Sequence, residues 1–150
     1  METSAEFQTR LRNLFESQRL AVVATQTRGQ PYASLVAFVA TADLRHLFFV
    51  TARTTRKFSN LTSDSRVAVL VNSSLNQESD FHEAISITVT GHAEEVKDPE
   101  REDILELYLS KHPFLEDFAR SPSCALIKVT ARSYYLVQNF QNVMEFHIDR

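Results

Sequence analysis

The sequence has no tryptophan, one cysteine, two glycines and four prolines. Each scarcity closes off a class of protein. Cys124 has no second cysteine to pair with, so no internal disulfide is possible and a reducing, cytoplasmic setting is expected. It sits in an apolar run and reads as a packed thiol rather than a nucleophile. No apolar run approaches the ~18 residues of a membrane span. The start, Met1-Glu2-Thr3-Ser4, has no signal-peptide profile, and no membrane partner is expected. Positive charge is not in surplus. Sixteen Lys and Arg against nineteen Asp and Glu leave a net charge of -3, with no basic stripe, so nucleic acid is not expected as a partner. H-E-x-x-H, C-x-x-C and P-loop spacings are missing, and no metal site is expected.

What remains is an ordinary globular composition, 43% apolar and 23% charged over 150 residues, read as a single domain over 1–150. The first apolar pattern is helical. Phe7, Leu11, Leu14 and Phe15 form one stripe and predict a helix over Ser4–Ser17. Strands are expected at Leu20–Thr25, Tyr32–Ala40 and His46–Thr51, joined by short turns as an antiparallel meander. Tyr32–Ala40 is apolar on both parities, which predicts cover on both faces. Further strands are expected at Arg66–Val71, Glu83–Val96, Cys124–Thr130, Ser133–Val137 and Val143–Ile148. Gly91, inside the long strand, marks a bulge or barrel corner. Asn72–Asp80 reads as a polar loop. Asp98 and Pro99 read as the cap and first residue of a helix over about 99–112, and Phe114–Ser123 as a connector with a helical turn. Many short strands with helices at the margins predict a mainly β fold, an antiparallel barrel of six to seven strands.

The stretch of greatest chemical interest is Val50–Val71. Thr51, Arg53, Thr54, Thr55, Arg56 and Lys57 crowd seven residues between two apolar runs. A short helix is expected over about Thr55–Thr62. A helix start offers free N–H groups and partial positive charge, Arg offers a planar two-pronged donor and Lys a point charge. Those are the requirements of a phosphate monoester. A solvated basic turn with a threonine cap is the plainer alternative.

Order and spacing add a resemblance. From Leu20 to about Val96 the chain resembles the FMN-binding split barrels related to pyridoxamine 5'-phosphate oxidase. A Gly-X-Pro turn, Gly29-Gln30-Pro31, leads into Pro31-Tyr32-Ala33-Ser34. A strand ending in Thr51 is followed by four residues and then Arg56-Lys57. Asn60-Leu61 and Asp64-Ser65-Arg66-Val67 follow, and Gly91-His92-Ala93-Glu94 matches the next strand. The resemblance implies FMN as cofactor, with Arg56 and Lys57 on its phosphate and Thr51 and Thr55 adding hydroxyl or backbone contacts. It implies Ser34, Leu35 and Val36 along the ring edge, Val50 beside the ring, and Ser86 as a further polar contact. It also implies a homodimer with two cofactor sites at the interface, and a small-molecule substrate. Val36, Ala37, Phe38 and Phe49 can wall an apolar groove, although Phe38 and Phe49 read better as barrel core.

The chain departs from the oxidase itself. It has no Trp- and Arg-rich C-terminal segment and no second phosphate clamp, ending Met144-Glu145-Phe146-His147-Ile148-Asp149-Arg150. Vitamin B6 oxidation is therefore not expected. Tyr134-Tyr135-Leu136-Val137-Gln138-Asn139-Phe140 is loosely similar to the tail of haem-utilisation relatives. That alternative makes His147, His92 or His82 candidate iron ligands, although Gln138-Asn139-Phe140-Gln141 replaces the relatives' Gly-Gly-Phe-Gly. Three classes follow: a small FMN-dependent oxidoreductase, a non-catalytic flavin-binding protein, and a haem-binding split barrel.

Overall fold

A computed structural model describes residues 4–140 and 142–148. Gln141, Asp149 and Arg150, which belong to the tail motif and the C-terminal segment discussed above, lie outside the described residues. Helix α1 (Ser4–Ser17) has the bounds its apolar stripe predicts, and all four stripe residues are buried. Burying side chains of that size stabilises by about 1.5–3 kcal/mol each. Packing therefore holds this helix far more than propensity does.

The strands are β1 (Leu20–Thr27), β2 (Gln30–Ala40), β3 (His46–Ala52), β4 (Arg66–Asn72), β5 (Ile85–Glu95), β6 (Cys124–Gln138) and β7 (Asn142–His147). Their order across the sheet is β3-β2-β1-β4-β5-β6-β7, and β3 also pairs with β6. All pairings are antiparallel. Six strands thus close into a barrel and β7 is added outside. The sequence reading divides Cys124–Val137 into two strands, whereas the structure has one of 15 residues. Its length has a cause. The first half of β6 closes the barrel against β3, and the second half carries β7 on the same side.

The β5–β6 register shifts between Thr90 and Gly91, where the sequence predicts a bulge. A side chain at Gly91 would place its Cβ 2.1 Å from the Thr130 carbonyl oxygen, so only glycine allows the strands this close.

The remaining helices are α2 (Arg56–Ser63), α3 (Asp80–Glu83), α4 (Arg101–Lys111) and α5 (Glu116–Arg120), with a 3-10 turn at Pro113–Leu115. Helix α4 starts two residues later than Pro99, and Glu100 rather than Asp98 occupies its cap position. Helix α3 begins at Asp80, the last residue read as loop, and takes in Glu83, read as the start of the next strand, so β5 starts at Ile85.

Two apolar clusters result. Inside the barrel, the α1 stripe packs with Val23, Val36, Phe38, Phe49, Val69, Val89, Ile127 and Tyr134. Phe15 meets Phe38 edge-on with ring centroids 5.9 Å apart. Phe38 and Phe49 are core, as their plainer reading has it. Outside, Val39, Phe48, Val50 and Leu126 pack beneath Leu105 and Tyr108 of α4 and Ala119 of α5. Cover on both faces of β2 therefore holds only for its second half. In the first half Tyr32 and Leu35 are exposed, Leu35 by 61%.

Candidate functional site

The site grows from the way β3 is bordered. Against β6 it pairs along its whole length, His46–Ala52 opposite Thr130–Cys124. Against β2 it pairs only at Leu47–Phe49 with Ala40–Phe38. Beyond Phe38, β2 stays with β1 as far as Gln30 and leaves β3. An opening forms between the strands, with the first turn of α2 at its mouth.

Helix α4 props this opening. The Tyr108 hydroxyl donates to the Ala37 carbonyl at 3.1 Å. The His112 Nε2–H donates to the Phe38 carbonyl at 2.7 Å. Burial pushes the Tyr108 pKa up to about 12 and that of His112 down, so the phenol keeps its proton and the imidazole is neutral. The Phe38 N–H donates to Arg19 on the β1 side. Backbone groups alternate along a strand, so Ala37 points to the β3 side, and Leu35 and Ala33 do the same. Their N–H and C=O groups face the opening. The Ser34 hydroxyl is buried beside them without a hydrogen-bond partner. Such an orphan costs about 1–3 kcal/mol and calls for an explanation in a native site.

The start of α2 is a hydrogen-bonded relay. Thr55 is the cap, and its hydroxyl oxygen accepts the Phe58 N–H at 3.2 Å. The same hydroxyl donates to the Ala52 carbonyl at 2.9 Å, so the Thr51 hydroxyl 2.8 Å away donates to Thr55. Lys57 Nζ in turn donates to Thr51 at 3.4 Å. Burial pushes the Lys57 pKa down. The Arg56 guanidinium lies 5.6 Å from the centre of the Tyr32 ring and so spans from α2 to β2. Among the described residues no carboxylate pairs with Arg56 or Lys57. Arg53 differs. It forks onto both oxygens of Glu95 at 2.8 and 2.6 Å and is already neutralised. Among the described residues, Arg53 is thus the one of these three cations that has a carboxylate partner. Asn60 and Leu61 are both buried, and the Asn60 amide donates to Thr25 of β1 at 3.1 Å, which anchors the helix.

Of the nine residues singled out in the sequence, Thr51, Thr55, Arg56 and Lys57 gather at the start of α2, Ser34 and Leu35 lie on β2 beyond its pairing with β3, and Val36 is buried in the barrel core. The Val50 side chain is turned outward into the cluster beneath α4. Ser86 is elsewhere. It faces Asn72 on β4, with β1 and β4 between its own strand and β2, and lines a separate groove with Leu70, Ile85 and Val137. Sequence reading missed Tyr32 and Tyr108 at the opening, and His112 on the β1-side edge of β2. Tyr108 and His112 are four apart on one helix face with rings 5.0 Å apart, a spacing that gives no hint of two strand carbonyls needing donors.

The candidate iron ligands occupy unrelated settings. His147 Nδ1 is 2.6 Å from the Ser133 hydroxyl and its Nε2 is 3.2 Å from Glu145. His92 Nδ1 is 3.1 Å from the Ser65 hydroxyl, and His82 is exposed on α3.

A closed antiparallel barrel with a propped opening between two strands and a basic helix start defines a split barrel. The chain belongs to the pyridoxamine 5'-phosphate oxidase family, whose model matches residues 7–138. No curated protein matches it. Solved structures do. A haem-binding protein from Mycobacterium smegmatis superposes with TM-score 0.84 at 15% identity, over 98% of this chain and 59% of its own. A Clostridium acetobutylicum protein of the pyridoxinephosphate oxidase family, related to general stress protein 26, gives 0.74 at 16% identity over 97% of each chain. An FAD-binding protein from Mesorhizobium loti gives 0.66 at 18%, over 85% of this chain and 91% of its own. At these identities the likeness is one of fold. Among the described residues no helix is long and apolar enough to cross a membrane.

Proposed function

We propose that this protein binds FMN in the opening between β2 and β3 and acts as a small flavin-dependent oxidoreductase. The observation that carries the reading is the pair of cations without carboxylate partners, Arg56 and Lys57, at a helix start beside an unpaired strand edge. FMN carries about two negative charges near neutral pH, which two adjacent cations offset. The phosphate would displace Lys57 from its long bond to Thr51 and take Arg56 off the Tyr32 ring. The edge groups of Leu35 and the orphaned Ser34 hydroxyl would meet the polar rim of the ring, with Val36 and Ala37 as apolar wall. When bound, the flavin supplies the hydride or electron chemistry. Ser86 is too far round the sheet to reach the same ligand and would contribute only from a second copy. A homodimer fits that, and also fits the exposed Leu20, Tyr32 and Leu35.

Haem is the competing ligand, because the structurally similar Mycobacterium smegmatis protein binds haem. Here both ring nitrogens of His147 already have partners, which supports the flavin reading instead.

The test compares FMN with riboflavin, which lacks the phosphate. The double change Arg56→Ala with Lys57→Ala is expected to weaken FMN by at least ~30-fold, since each charge-assisted contact is worth about 1.5–3 kcal/mol. Riboflavin should change by less than about threefold. Arg53→Ala, whose partner is Glu95, should leave FMN within about twofold. Equal losses for FMN and riboflavin would remove the phosphate from this site. A Soret band with haemin that disappears on replacing His147 would move the function to haem.

A further inference from the structure

Two irregular stretches of backbone meet at the start of β3. Leu44, in the turn before it, has φ of +63°. The left-handed region is unfavourable for a bulky side chain. Leu44 is held there by its buried side chain and by its carbonyl, which accepts the Tyr134 hydroxyl. On β6, Arg132 is the extra residue of the bulge. Ser133 pairs with Thr90 and Ala131 with Gly91, so Arg132 has no opposite number on β5. The two stretches are tied together, since the Ala131 N–H donates to the Arg45 carbonyl at 2.9 Å. Bulges re-aim side chains and recur beside functional sites, as does backbone held in a sparsely populated region.

The result is a hollow of about 380 Å³ lined by Arg45, His46, His92 and Arg132. That volume is within the ~300–1,000 Å³ range of small-molecule sites. Among the described residues no carboxylate lines it, and neither arginine has a carboxylate partner. Asp43, two residues before Arg45, instead accepts the Thr41 hydroxyl and the Arg45 N–H. The Ser65 hydroxyl partners His92 Nδ1, so Nε2 is the nitrogen left for a ligand. Burial pushes the His46 pKa down, so that ring is neutral, and it stacks with Phe48 at 6.2 Å. Ala131 and Ile148 supply an aliphatic wall. Two guanidinium groups brought to one hollow repel each other, and an anion between them removes that cost.

The hollow is separate from the opening at α2 and from the groove of Ser86. His46 is five residues along β3 from Thr51, about 16 Å, and His92 six residues along β5 from Ser86, about 20 Å. It also differs in kind from the opening, because no helix start lies on its lining. Its donors are planar forks, which match planar carboxylates.

We propose that this hollow binds a small carboxylate with an apolar body, its oxygens taken by Arg45, Arg132 and His92 and its body laid against Ala131 and Ile148. The proposal does not rest on the flavin reading, and its test is arranged so that either can fail alone. Benzoate, its uncharged counterpart benzamide, and phenyl phosphate are titrated near neutral pH at fixed ionic strength and followed by amide NMR shifts. Benzoate should saturate one site per chain, move the amides of His92, Thr130 and Ala131, and bind at least ~tenfold tighter than benzamide. Arg45→Gln and Arg132→Gln should each cost benzoate at least ~fivefold, with the fold retained because both side chains are exposed. Arg120→Gln, at an exposed arginine paired with Glu102 and Glu116, should leave benzoate within about twofold. Protein carrying Arg56→Ala and Lys57→Ala should lose FMN and bind benzoate as the wild type does. Benzamide binding as tightly as benzoate overturns the proposal, as does benzoate affinity that survives loss of both Arg45 and Arg132. Benzoate lost together with Arg56 and Lys57 overturns it too, since the carboxylate then sits in the opening. Phenyl phosphate binding more than ~threefold tighter than benzoate also overturns it and makes the hollow a phosphate site.

Discussion

The two edges of β3 carry the same strand chemistry and end differently. One is zipped to β6 by seven residue pairs, the other to β2 by three. At the closed seam the β6 side chains Cys124, Ala125, Leu126, Ile127 and Val129 are buried, Lys128 is half-buried and Thr130 is exposed, and the nearby bulge at Gly91 lets backbone approach backbone. At the open seam the Tyr108 side chain of α4 substitutes for a strand by donating to the Ala37 carbonyl, while His112 takes the Phe38 carbonyl on the opposite, β1-side edge of β2. The difference teaches where a barrel can hold a ligand without losing stability: where a helix has taken over the hydrogen bonds that a missing strand would have made.

The β5–β6 pairing, which backs the closed seam through β6, should be the less forgiving. Gly91→Ala would set a methyl 2.1 Å from the Thr130 carbonyl oxygen, a backbone atom that cannot swing aside. A loss on the order of 3 kcal/mol is expected in urea denaturation. Wild-type stability would show that this seam has slack, and the contrast would weaken. At the open seam, Tyr108→Phe removes the donor to the half-buried Ala37 carbonyl, at about 1 kcal/mol. Hydrogen exchange should quicken in the β2 edge more than in the β3–β6 pairing. Uniform quickening would mean that α4 supports the whole barrel and not the opening.

The smallest effect is a pH dependence beside the same prop. Lys111 donates to the Phe15 carbonyl at 2.8 Å, over the Phe38 ring, and burial pushes its pKa down to about 8 from 10.5. Between those values the unfolded chain binds more protons here than the folded one does. The side chain's contribution to stability therefore improves as pH rises from about 8 to 10.5 and is least favourable below 8. Relative to Lys111→Met, the wild-type melting temperature should gain about 2 °C over that window, a small shift because the group is partly solvated. A gain in the opposite direction would place the charged amine in a stabilising pocket.

Much of this fold was legible. The α1 stripe, the order of the first three strands and the Gly91 bulge rest on periodicity and on glycine, which act locally. The resemblance brought Arg56, Lys57, Thr51 and Thr55 together because the turn that carries them is short and contiguous. What escaped depends on distant parts of the chain. Nothing local says that Arg53 is spent on Glu95, 42 residues on. Nor does the Tyr108–His112 spacing say which carbonyls, 71 and 74 residues earlier, will need donors. The two strands read in Cys124–Val137 are one because β6 changes partner midway without breaking, which a turn-based reading cannot see. Asp98-Pro99 resembles a helix start by composition, but α4 begins at Arg101, where Leu105 and Tyr108 can face the sheet.

The Arg56 guanidinium resting on Tyr32 has an optical consequence. With no indole in the chain, ultraviolet emission comes from four phenols. Tyr108 and Tyr134 are enclosed by the core, and Tyr135 stands edge-on to His147 on the far hairpin. Tyr32 alone among the described tyrosines has a cationic side chain laid over its ring. An anion that draws the guanidinium away would change the surroundings of that one fluorophore, so the opening carries its own label.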